Sequence, residues 1–153
     1  MTRARANAGE PPHAVPAPRD GATKAYATLH LRDSAPVAAP DGSDVRVLLG
    51  FDHGRMAHFE LDAGRVSRAV VHRTVDEVWY VVEGGGEMWR RQGECEDIVA
   101  LVPGVCVTLP HGTQFQFRAS PTHALRAVAF TSPVWPGDAE AAMVTGPWRA
   151  TTR

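Results

Sequence analysis

From Ser43 onward the chain consists of short apolar or alternating runs of five to eight residues, interrupted for the most part by glycine- or proline-containing turns. The runs are Val45–Gly50, Met56–Leu61, Val66–His72, Glu77–Val82, Gly86–Arg91, Asp97–Val102, Val105–Leu109, Gln114–Arg118 and Ala124–Thr131. Between them fall Asp52-His53-Gly54, Asp62-Ala63-Gly64, the glycines Gly84 to Gly86, Gln92-Gly93, Pro103-Gly104 and His111-Gly112. Runs of this length suit strands, which alternate side chains between two faces, and are too short for helices that bury a stripe. About nine strands at this spacing predict an antiparallel sandwich or barrel rather than a βαβ protein. Tyr26–Leu31 is read as a further edge strand, and Asp138–Met143 as the one helical stretch, capped by Asp138 and stopped by Gly146-Pro147.

The ends differ in character. Residues 1–22 are Ala, Pro, Arg and Gly with few large apolar side chains, a composition that does not repay the entropy of ordering, and are expected to form a flexible arm. A barrel domain is expected over residues 23–134, and residues 135–153 as a tail whose Trp135 and Trp148, together with an outward Tyr80, serve a homodimer interface. A length of 153 residues suits one domain. The 16 basic and 17 acidic residues nearly cancel, leaving no field to draw in nucleic acid or anionic lipid, and Arg90-Arg91 reads as two arginines at a strand end. No apolar run follows Arg3 and Arg5, so no secretory signal is expected and a cytoplasmic location is the default. Cys95 and Cys106 lack metal-site spacing and read as free thiols, with Cys106 buried between Val105 and Val107.

Two segments carry more than architecture. His72-Arg73-Thr74-Val75-Asp76-Glu77, continuing to Gly84, and Gly104 through Pro110-His111-Gly112 to Phe117 resemble the two motifs of the cupin superfamily. Glu77 and Gly84 keep the interval of the first motif; Gly104, Pro110 and Gly112 keep that of the second. The resemblance spans about residues 45–131 and implies a double-stranded β-helix, a jelly-roll barrel of two antiparallel sheets with a small-molecule pocket. It also implies a metal site of three His and one Glu, and here this chain departs. His72 and Glu77 remain, Thr74 stands where a second His would follow, and Phe115 occupies the third His position. The expected state is therefore without a metal cofactor. The alternative is a divalent transition metal on a displaced set of His72, Glu77 and either His111 or Gln114, brought together by a bulge.

His72 and Glu77 are the candidate catalytic pair. A neutral imidazole acts as acid or base near neutral pH. Glu77 shares its strand face with Trp79 and Val81, an apolar surround that raises a carboxyl pKa. The competing reading of His72 is a hydrogen-bonded histidine at the barrel mouth, and that of Glu77 an ion pair with an inward Arg68 or Arg126. Trp79, Phe115 and Phe117 are read as an aromatic wall for substrate, or equally as core, with His58, Arg68 and Arg126 as further substrate contacts; the pattern leaves His58 either lining the pocket or facing solvent.

These features point to an enzyme that rearranges a hydrophobic, polyketide-like small molecule by proton transfer: a cyclase, isomerase, epimerase or dehydratase. The polyketide association comes from the resemblance, since small cupins of Ala- and Arg-rich chains occur in specialised metabolism. The alternatives are a metal-dependent oxygenase or isomerase and a binding module that performs no chemistry.

Overall fold

The computed structural model describes residues 25–152, so the arm expected over residues 1–22 lies outside it. With strands numbered in chain order, the larger sheet contains β1 (Val37–Ala38), β2 (Asp44–Phe51), β3 (Gly54–Leu61), β5 (Asp76–Gly84), β8 (Cys106–Leu109) and β10 (Leu125–Ser132). Their spatial order is β1-β2-β3-β10-β5-β8. The smaller sheet is formed by β4 (Val70–His72), β6 (Gly86–Gln92), β7 (Cys95–Leu101), β9 (Gln114–Ala119) and β11 (Ala141–Met143), in the order β11-β4-β9-β6-β7. Every pairing is antiparallel. This is the two-sheet jelly-roll barrel of the cupins, as the motif spacing implies.

Alternation builds the core. On β5 the side chains of Glu77, Trp79 and Val81 turn inward while Val78, Tyr80 and Val82 face out. Trp79 stacks on Phe59 of β3 at 4.8 Å and meets Phe117 of β9 edge-on at 5.1 Å, tying the two sheets together. Ala57 on β3 and Ala127 and Ala129 on β10 leave room for these rings, with Ala129 directly opposite Trp79. Full burial of each large side chain contributes roughly 1.5–3 kcal/mol, so this aromatic layer is a main source of stability.

The outward row is apolar too. Val78, Tyr80 and Val82 are exposed together with Phe130 and Met56 on the same sheet. Tyr80 thus faces outward as alternation requires.

Several expectations at the margins are corrected. Tyr26–Leu31 forms no strand: residues 25–30 are irregular, and a single 3-10 turn follows at Leu31–Asp33. The edge strand is instead β1, within the proline-containing stretch, where Ser34 Oγ donates to the Val47 carbonyl and Arg46 to the Ser34 carbonyl. Asp138–Met143 is not a helix. It is one 3-10 turn, Asp138–Glu140, followed by β11, which gains more by pairing with β4 than a six-residue helix gains alone. Cys106 is exposed, because Val107 and Leu109 take the inward positions of β8.

Residues 135–152 pack onto the barrel. The carboxylate of Glu140 accepts from the Thr74 amide at 2.5 Å, the Thr74 hydroxyl at 2.9 Å and the Val75 amide at 2.7 Å, so this buried acid latches the segment onto the loop between β4 and β5. Further along, Trp148 gives its amide to Gln116 Oε1 at 3.0 Å, and Arg118 lies over its ring at 4.4 Å. Trp148 is therefore engaged within its own chain, and both it and Trp135 are half-buried rather than fully exposed. Replacing Glu140 with Ala strips two backbone amides of their acceptor and is expected to lower stability by about 2 kcal/mol, readable as a reduced urea midpoint.

Candidate active site

One end of the space between the sheets stays open as a cavity of about 260 Å³. Its wall is assembled from separate parts of the chain. Residues 37–41 form a strap along one side, and Val45, Val47, Arg55, Met56, Ala57 and Phe59 come from β2 and β3. Val70, His72 and Phe115 come from the smaller sheet, Glu77 and Thr131 from the larger. Val134, Trp135, Asp138 and Ala141 close the remaining side. The lining is mainly apolar with a few placed polar groups, the usual character of a small-molecule pocket, and its size falls just below the common range of about 300–1,000 Å³.

His72 and Glu77 reach this cavity from opposite sheets, because the loop after β4 crosses from the smaller sheet to the larger before β5 begins. His72 is buried, held edge-on between Phe115 at 5.1 Å and Trp135 at 5.0 Å. Its Nδ1 has no hydrogen-bond partner. Desolvation pulls the imidazole pKa down to about 4, with the Glu140 carboxylate opposing, so the ring is neutral at physiological pH. Glu77 is only 3% exposed, and its Oε2 accepts from Trp79 Nε1 at 2.7 Å. Burial pushes this carboxyl up to about 7, the Trp79 bond opposes the rise, and the charge of Asp41 adds to it. A neutral base and a carboxyl half-protonated near neutral pH thus face one apolar space, an arrangement suited to moving protons.

These opposed shifts have a signature in stability. The folded state resists protonation of His72, so that contribution is lost as pH falls from 6.5 towards 4. It favours protonation of Glu77, so that contribution is lost as pH rises from 4.5 through 7. Where the windows overlap, the two slopes oppose each other. Relative to the parent, His72→Gln is expected to add a fall in stability with rising pH, and Glu77→Gln a rise, each by up to about 1.4 kcal/mol per pH unit. Urea titrations at several pH values measure both.

The remaining sequence candidates divide. Phe115 lines the cavity as expected, whereas Trp79 and Phe117 do not; they belong to the core, and the aromatic wall is Phe115 with Phe59 and Trp135. His58 faces away from the cavity, on the outer side of the larger sheet beside Glu60 and Arg126, where desolvation lowers its pKa. Arg126 also points outward, pairing at 2.9 Å with both Glu60 and Glu83, so it is not a substrate contact. Arg68 is absent from the lining, and its amide donates to the Asp41 carbonyl at 2.8 Å. Neither arginine neutralises Glu77.

The displaced metal set is not assembled. His111 is exposed and directs both its amide and its Nδ1 to Asp76 Oδ1, each at 2.7 Å, and Gln114 does not reach the cavity. Among the described residues no group of three or more His, Cys, Asp or Glu side chains could hold a metal ion. The residues present do not fit the metal that the motifs imply.

Sequence reasoning missed Asp41, Thr131 and Trp135 as cavity residues. Asp41 was legible only as part of a turn, and indeed Gly42 has a φ of 86° there. Nothing in the local pattern signals that its carboxyl is buried.

No protein-family model matches the chain, and no curated protein does. Solved structures do. The polyketide cyclase RemF from Streptomyces resistomycificus is 20% identical, with 78% of this chain and 86% of that one covered at a TM-score of 0.63. The Streptomyces nucleoside dehydratase Pac13 is 15% identical over 78% of this chain and 91% of that one, TM-score 0.62. Rru_A2000 from Rhodospirillum rubrum, a cupin-2 domain, is 20% identical over 78% and 80%, TM-score 0.62. The fold of this chain is the one shared by these small cupin barrels. No helix among the described residues is long and apolar enough to cross a membrane.

Proposed function

We propose that this chain is a small-molecule enzyme that works by acid–base catalysis, with His72 as base and Glu77 as acid, on an uncharged, largely hydrophobic, ring-bearing substrate. The reaction class is dehydration, isomerisation, epimerisation or cyclisation. The observation that carries the reading is that His72 and Glu77, a base and an acid whose pKa values burial shifts in opposite senses, line one apolar cavity from opposite sheets.

In a dehydration, His72 takes the proton from a carbon next to a carbonyl. The C–H electrons form the new C=C bond, the C–O bond breaks, and the departing hydroxyl takes the proton of Glu77 and leaves as water. Phe59, Phe115 and Trp135 hold the rings and exclude solvent. An enolisation needs only the first half, with Glu77 protonating the carbonyl oxygen. That the fold is shared with a nucleoside dehydratase and a polyketide cyclase supports this range. The reading includes a homodimer formed through the exposed face around Tyr80 and Phe130, for which sedimentation equilibrium would return twice the chain mass.

The test is a panel of β-hydroxy ketones, aryl polyketone analogues and nucleosides incubated with the protein in D₂O. Protein-dependent loss of water or uptake of deuterium next to a carbonyl is expected for at least one member. Tight binding with neither change would identify a binding module instead. Activity that appears only on addition of a transition metal would favour metal-dependent chemistry.

A further inference from the structure

When His72 takes a proton from the carbon beside a carbonyl, one atom is left unattended. The C–H electron pair becomes the new C=C bond and the carbonyl π pair moves onto oxygen, so negative charge builds there in an apolar space. A fixed donor aimed at that oxygen is usually the largest single contribution to such a step.

Arg55 of β3 is the only Lys or Arg among the residues that line the cavity. Its place on the strand runs against the usual pattern. Alternation sets Arg55 on the inward face with Ala57, Phe59 and Leu61, at the solvent-accessible rim, while the apolar Met56 beside it is 42% exposed on the outer face. A charge that served only solubility belongs on the outer face. Other arginines of the barrel are committed, Arg90 to Asp97, Arg118 to Glu87 and Arg126 to Glu60 and Glu83. The Arg55 guanidinium has no acceptor among the described residues.

Sheet register sets it opposite the acid. Thr131 of β10 pairs on one side with Arg55 of β3 and on the other with Glu77 of β5, so the three form one row across the sheet, and all three line the cavity. Two strand spacings, roughly 10 Å between the outer Cα atoms, separate the ends of that row. Thr131 lies between them with its hydroxyl donating to the Arg55 carbonyl at 3.3 Å, and its short side chain leaves room for a substrate between the long arginine and the glutamate.

We propose that Arg55 is the oxyanion-binding residue of this site: its guanidinium donates to the substrate carbonyl oxygen and holds the enolate charge. It gives up no proton; Glu77 supplies that, to the departing hydroxyl or to the same oxygen. The other ionisable groups of the lining, Asp41, Asp138 and the neutral His72, provide no cation for this task. The inference rests on the acid–base reading above and narrows its substrates to carbonyl compounds whose oxygen reaches the rim at β3 while the apolar body lies against Phe59, Phe115 and Trp135.

A stable enolate tests this without turnover. An aryl-substituted cyclic β-diketone is ionised at pH 6 and stands in for the enolate; the matching aryl cyclic ketone is its neutral counterpart. By calorimetry the parent protein should bind the diketone anion more tightly than the ketone. Arg55→Gln should weaken the anion by about 10- to 100-fold and the ketone by no more than about twofold, and Arg55→Lys should recover part of the loss. Arg126→Gln makes the same change of charge on the outer face and should alter neither. A parent protein that does not prefer the anion, an equal loss of both ligands in Arg55→Gln, or an equal loss in Arg126→Gln overturns the role of Arg55. Because no reaction is needed, that failure is distinct from an absence of water loss and deuterium uptake across the D₂O panel, which removes the acid–base reading and this inference with it.

Discussion

Replacing His72 with Ala is expected to reduce turnover of any substrate found in the D₂O panel by about 10²- to 10⁴-fold, the usual worth of a positioned general base. The fold should hold. His72 loses its edge contacts with Phe115 and Trp135 on truncation, but the variant also sheds a buried nitrogen that has no partner, and the two effects offset one another. His72→Gln fills the space without supplying a base and should be as inactive as the alanine variant. Because the imidazole is already neutral well below neutral pH, the acid limb of a rate profile belongs near 4 and the alkaline limb, set by Glu77, near 7. Full activity in either variant, with melting unchanged, would remove His72 from the mechanism.

The largest effect on stability is expected at Gly84, the glycine that closes the first motif. Its φ is 76°, in the left-handed region, and a Cβ there would lie 1.6 Å from the Ala124 carbonyl oxygen. That oxygen belongs to backbone entering β10, whose Leu125 pairs with Gly84 itself, so it cannot swing aside as a flexible side chain would. Gly84→Ala adds an unfavourable backbone conformation to this clash and should cost about 3 kcal/mol or more, enough to leave much of the protein insoluble. Gly93 is the control. It too has a positive φ, of 57°, but a Cβ there meets nothing within 4 Å, so Gly93→Ala should cost about 1 kcal/mol. Equal melting temperatures for the two variants would mean that the close approach at Gly84 is not what its motif position requires.

That Gly84, Glu77 and the turn glycines could be picked out at all reflects how local their constraints are. Alternation fixes that Glu77, Trp79 and Val81 share a face, and the barrel turns that face inward. What alternation does not fix is depth. Trp79 and Phe117 point inward as read, yet lie in the core, while Phe115, two residues from Phe117 on the same face, reaches the cavity. His58 shows a second limit: alternation does not say which face is inward, and it is Phe59 beside it, stacked on Trp79 in the core, that leaves His58 on the outer face. The strap and the closing segment were the least legible. Val37–Asp41 and Val134–Ala141 carry no period, and they acquire their roles only through contacts with residues far along the chain, such as Glu140 with Thr74.

Thr74 has a place in this account. It occupies the position where a second metal-binding histidine would stand, and its amide and hydroxyl both bind Glu140. The segment so latched brings Trp135 against His72 and closes the cavity. The residue in the ligand position thus supports the wall of an apolar pocket.

The measurement that bears most directly on the site is the protonation of its two principal groups in the same sample, followed by ¹⁵N imidazole shifts for His72 and ¹³C carboxyl shifts for Glu77. The predicted result at pH 6 is a neutral His72 and a predominantly protonated Glu77, with midpoints near 4 and 7. A cationic His72 facing an anionic Glu77 at that pH would contradict the account, for the pair would then be a structural ion pair rather than a base and an acid poised for chemistry.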